Sequence, residues 1–68
     1  MKLYEIPEGS RIKAETGKED GTKLGDYIIF HHIDGLFSYC TVEGTNESCH
    51  LAAGQELCLT DEGYYVLA

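Results

Sequence analysis

Apolar and polar residues alternate along this chain with a period of two, in short runs broken by turn residues. Gly9, Gly17, Gly21, Gly25, Gly35, Gly44, Gly54 and Gly63 separate runs rich in β-branched and aromatic side chains. That punctuation predicts an all-β fold. Residues 3–6 alternate and read as a first strand, closed by Pro7, Glu8 and Gly9. Residues 11–15 alternate strictly, with Ile12 and Ala14 inward and the charges outward. Residues 16–25 are polar, glycine-rich and charged, and predict a long exposed loop.

Two apolar runs, 27–33 and 36–42, flank Asp34-Gly35. Asp-Gly in that setting predicts a two-residue type I′ turn, which needs positive φ at both central positions. The turn would set Ile33 opposite Leu36, His32 opposite Phe37, Phe30 opposite Tyr39 and Ile29 opposite Cys40. One face then carries Ile29, His31, Ile33, Leu36, Ser38, Cys40 and Val42, and is the expected core face. The other carries Ile28, Phe30, His32, Phe37, Tyr39 and Thr41. A sheet with one wet face alternates apolar with polar, and this hairpin does not. It is either buried on both sides or presents its aromatic face to a partner.

Residues 43–47 read as a loop, and 49–52 return beside the hairpin with Cys49 and Leu51 inward. Residues 52–55 predict a tight turn or one turn of helix. Residues 56–60 and 64–67 form a second hairpin around Asp61-Glu62-Gly63, whose glycine suits the left-handed position of a three-residue loop. Its register pairs Leu59 with Tyr65 and Leu57 with Leu67. No segment of helical length shows a helical period. The expected architecture is one domain over 1–68: a small, strongly bent antiparallel barrel of five to six short strands, SH3-like or OB-like in size.

Length and charge narrow the function classes. A chain of 68 residues buries only about 60% of its unfolded surface, and self-association would offset that deficit. Twelve acidic residues face five basic ones, for a formal charge of −7. Lys2, Arg11, Lys13, Lys18 and Lys23 all precede Leu24, and no Lys or Arg follows. Such a balance disfavours direct nucleic-acid binding and anionic membranes, and favours a protein partner with a basic surface. No apolar run of about 18 residues is present, as a membrane helix would require. The first residues lack the apolar core of a signal peptide, so a cytoplasmic location is expected.

The odd cysteine count, Cys40, Cys49 and Cys58, predicts reduced thiols packed as small apolar side chains. One disulfide with a thiol left over is the alternative. A zinc site from His31, Cys40 and Cys58 would need the fold to gather ligands that lack the usual close spacing. Consecutive His31 and His32 should point to opposite faces of one strand. Cys40 or Cys49 beside a histidine has the residue types of a nucleophilic pair. No basic residue lies nearby to activate the thiol, and so small a chain offers little room for a substrate cleft. The expected function is therefore non-enzymatic, with no cofactor. Phe30, His32, Phe37, Tyr39, Tyr64 and Tyr65 are the expected interface, because aromatics with a wet end favour protein contacts.

Residues 1–10 (MKLYEIPEGS) and 30–40 (FHHIDGLFSYC) resemble small uncharacterised proteins of tailed bacteriophages. The resemblance implies a protein made in a bacterial host cytoplasm that acts by binding host or phage proteins. It implies no catalytic residues. Two other readings stand beside it: an acidic DNA mimic that inhibits a nucleic-acid enzyme, and a small zinc-binding module.

Overall fold

A computed structural model describes residues 1–13 and 27–68. The predicted loop at 16–25, together with Ala14 and Glu15, lies outside the described residues. The chain is mostly β. A 3-10 turn, Leu3–Glu5, precedes six strands: β1 Arg11–Lys13, β2 Tyr27–Asp34, β3 Phe37–Val42, β4 Ser48–Cys49, β5 Leu57–Leu59 and β6 Tyr65–Leu67. They form one sheet in the order β4-β3-β2-β1-β6-β5.

Two features depart from the expected antiparallel barrel. β1 and β6 run parallel, with Ile12 beside Tyr65 and Lys13 beside Val66. The hydrogen-bonded ladder also has two ends, β4 and β5. The parallel pair arises because β6, the last strand, is delivered to β1 by the β5–β6 hairpin, which sits at the outer edge. The C-terminal hairpin keeps its predicted register of Leu57 with Leu67 and Leu59 with Tyr65. Gly63 closes its loop at φ 96°, a conformation only glycine adopts without strain.

The first predicted strand is instead the 3-10 turn. Leu3 and Ile6 both enter the core, and a spacing of three suits a turn of helix rather than a strand. The Lys2 N–H donates to Glu5 Oε1 at 2.6 Å and the Glu5 N–H donates to the Lys2 carbonyl at 2.9 Å. These bonds close the turn locally.

The core takes residues from every strand: Ile12, Ile28, Phe30, Cys40, Val42, Cys49, Leu57 and Tyr65, with Leu3, Ile6 and Leu51 from the connections. The sequence-based core face was half wrong. Ser38, Cys40 and Val42 are buried as expected, but β2 turns Ile28 and Phe30 inward instead of Ile29, His31 and Ile33. The cause is an extra residue in β2 between Phe30 and His32, acting together with a changed turn. Gly35 has φ 67° and no described non-glycine residue has positive φ. A single positive φ at the first central position belongs to a II′ turn over Gly35-Leu36, not the expected I′ turn over Asp34-Gly35. Asp34 therefore faces Phe37 and Ile33 faces Ser38, a shift of two residues that leaves the faces as expected; the extra residue in β2 then sets Phe30 opposite Cys40. The net slip beyond it is one residue, Phe30 in place of Ile29 opposite Cys40, and a slip of one exchanges the faces of a strand.

An ion-pair cluster ties the N-terminal segment to the far edge. Glu56 accepts from the Met1 amino group at 2.7 Å and from Lys2 Nζ at 2.9 Å. The Leu57 N–H donates to the Met1 carbonyl at 2.6 Å. The Met1 amino group first, and then Lys2, hold the Glu56 carboxyl down to about 2, from an ordinary value of 4.5. The folded value lies below the unfolded one, so the stabilisation is present above pH 4.5 and fades as pH falls towards about 2. Glu56→Gln should lower the melting temperature modestly at pH 7 and match the parent near pH 2, as followed by circular dichroism. The pair is half exposed, so the effect is small. A gap of constant size across that range would rule out the ion pair as its source.

Candidate interaction surface

Strand β2 is longer than the strand beside it. β1 pairs with Tyr27, Ile28 and Ile29. The preceding turn extends the contact by one residue: the Gly9 N–H donates to the Phe30 carbonyl and the Phe30 N–H donates to the Ser10 carbonyl. Beyond Phe30, the last four residues of β2 have only β3 as a neighbour among the described residues. The β2–β3 hairpin thus projects with one bare edge. Its tip is apolar: Leu36 is 83% exposed, Phe37 55% and Ile33 36%. The Ala53 N–H donates to the Leu36 carbonyl and the Tyr4 N–H donates to the Ala53 carbonyl. These bonds link exposed Tyr4 to the same end of the molecule.

Behind the tip, a β-bulge lies between Phe30 and His32. A bulge sets two residues against one, so His31 and His32 both face Tyr39 on the outer side of the sheet. This corrects the expectation that they point apart. Their rings lie 5.2 Å and 5.5 Å from the Tyr39 ring, with His32 stacked on it, and His50 approaches from β4's side at 6.2 Å. His31 Nε2 is 2.9 Å from Thr41 Oγ1. His50 Nδ1 is 2.7 Å from the Ser38 carbonyl. A carbonyl only accepts, so the proton of that imidazole sits on Nδ1. Three imidazoles thus surround one tyrosine. Farther along the same face, the Arg11 guanidinium lies 3.9 Å over the Tyr27 ring while also pairing with Glu43 at 2.8 Å. Tyr64 meets Tyr27 edge-on at 5.3 Å.

The six predicted interface residues therefore divide. His32 and Phe37 are exposed, and Tyr39 and Tyr64 are half-buried on the outer face. Phe30 and Tyr65 are buried in the core and present nothing to a partner. Sequence reasoning missed Leu36, Ile33 and Tyr4. The available signal was Leu36 itself, an apolar side chain in the second place of a two-residue turn.

The suggested zinc ligands are not gathered. His31 lies on the outer face, Cys40 is fully buried, and Cys58 is exposed on β5. Among the described residues no cluster of three metal-ligating side chains forms. All eight described carboxylates are exposed, and Glu43 and Glu56 are engaged by cations. No described helix is long and apolar enough to cross a membrane. Compared with protein-family models, with curated proteins and with solved structures, the chain has no significant match.

Proposed function

We propose that this chain is a non-enzymatic protein-binding module that works through the free end of its β2–β3 hairpin, and that a second copy of the chain is one of its partners. The carrying observation is an apolar tip, with Leu36 83% exposed, beside a strand segment whose one edge is unpaired among the described residues. Exposed apolar groups and bare strand edges both favour association. Pairing two such edges would satisfy backbone groups and cover Ile33, Leu36 and Phe37 together. A heterologous partner would add a strand to the same edge, and the exposed Asp34 beside it suits a basic surface. A phage accessory protein acting in a host cytoplasm is the setting that the sequence resemblance favours.

The same reading takes the sheet as wrapped into a small SH3-like or OB-like barrel. Ile12, Ile28 and Cys40 are fully buried, and among the described residues no helical layer covers them. A single flat sheet would leave them wet, and on this reading the curl of the sheet supplies the cover. Residues 50–56 carry the chain directly from one edge strand, β4, to the other, β5.

Light scattering after size exclusion tests the reading. The parent should self-associate at high concentration, more so as salt rises, because copies of charge −7 repel. Leu36→Glu should give monomers with an unchanged melting temperature. A strict monomer at every concentration and salt would sink self-association. Capture of the same host protein by parent and Leu36→Glu would sink the tip as the binding surface.

A further inference from the structure

We propose that Cys40 and Cys49 are a cross-strand thiol pair placed to close into an intrachain disulfide, a modification site that locks the short edge strand β4 onto β3. The two residues are direct partners in the β3–β4 ladder. Both are buried and both point into the same core. The Ser38 N–H donates to the Leu51 carbonyl and the Val42 N–H donates to the Glu47 carbonyl. Residues 38, 40 and 42 of β3 therefore turn their backbone groups towards β4, and Cys40 and Cys49 occupy a hydrogen-bonded pair. Such pairs hold their Cα atoms about 5.5 Å apart, inside the span of roughly 4.4–6.8 Å that a disulfide bridges. No large backbone movement is needed.

The surroundings favour the chemistry. The two thiols hydrogen-bond to each other, and Ser38 Oγ lies 3.3 Å from Cys40 Sγ. The Cys49 contact is the largest influence on Cys40, and it holds that thiol below its ordinary value despite the opposing effect of burial. A lowered thiol supplies more of the attacking thiolate. Access comes through the edge. β4 is two residues long and has β3 as its only described strand neighbour, so opening it locally is easier than opening the sheet.

The oxidant is a small disulfide of the glutathione type. The Cys40 thiolate attacks one sulfur of that disulfide, whose S–S bond breaks and releases one glutathione thiolate. The Cys49 thiolate then attacks the Cys40 sulfur of the mixed disulfide and releases the second. The protein loses two electrons and two protons, and the oxidant leaves as two thiols. The third cysteine, Cys58, is exposed on β5 and lies outside this pair.

The test uses the full chain carrying Cys58→Ser, folded, in oxidised glutathione. Intact mass should fall by two hydrogens with no glutathione retained, and peptide mapping should join Cys40 to Cys49. The melting temperature should rise by roughly 10 °C and return on reduction. Cys49→Ala in the same background should show no such rise and should hold a glutathione at Cys40 or none. Two persisting thiols in the folded chain, under a buffer that oxidises it in guanidinium, would overturn the proposal. So would stable glutathione adducts on both cysteines, or a disulfide that lowers the melting temperature.

Discussion

Ile12→Ala should cost roughly 2–5 kcal/mol and leave the chain partly unfolded at room temperature. The expectation follows from position. Ile12 is fully buried in β1, a strand of three residues that carries no other described core side chain. It stands opposite Ile28 on one side and beside Tyr65 on the other. β1 is thus the seam between the β2–β3–β4 half of the sheet and the β5–β6 hairpin. Truncation removes buried methyl groups and leaves a cavity that the seam cannot close without moving one half against the other. A domain of 68 residues has only about 3–10 kcal/mol of total stability to lose. Urea denaturation followed by circular dichroism measures the cost. Leu59→Ala, at an exposed site, is the control and should move the midpoint little. Equal effects at the two sites would remove β1 as the seam.

What could be read from the sequence depended on whether a local rule fixed the register. The C-terminal hairpin was legible. Asp61-Glu62-Gly63 is a three-residue loop with glycine at its left-handed position, and that chemistry alone pairs Leu57 with Leu67 and Leu59 with Tyr65. The central hairpin was legible as a hairpin and illegible in its faces. Its strands are apolar on both sides, so periodicity could not choose between Ile28 and Ile29. The bulge then decided, by adding one residue to β2 between Phe30 and His32. No residue type announces that extra residue, and it also gathered His31 and His32 on Tyr39. The interface expectation failed at Phe30 and Tyr65 because aromatic character suits either a core or a contact: register decided Phe30, and packing into the core decided Tyr65, whose register was read correctly. The parallel β1–β6 pair is a long-range event between segments more than fifty residues apart, and nothing local encodes it.

Ser38→Ala should cost about 1–3 kcal/mol, although it deletes a single oxygen from the smallest hydroxylated side chain. Ser38 is fully buried on the inward face of β3. Its hydroxyl donates to the Leu51 carbonyl at 3.0 Å and accepts from the Leu51 N–H at 3.1 Å. The carbonyl has a second donor, the Ser38 N–H at 2.8 Å. Among the described residues, the only other acceptor near that N–H is the Cys40 sulfur, a weak one. Alanine would leave that donor with only the weak sulfur acceptor, out of reach of water, and a poorly made buried bond costs more than a good one contributes. The loss also acts on register, because the Ser38–Leu51 pair continues β4 along β3 towards the hairpin tip. Hydrogen exchange at the Leu51 amide should quicken far more than exchange at β5 or β6, while the urea midpoint falls with an unchanged slope. Thr41→Ala, which removes the partner of His31 on the half-buried outer face, should cost less, because water can replace that bond. Undisturbed protection at Leu51 in Ser38→Ala would mean that the hydroxyl only fills space.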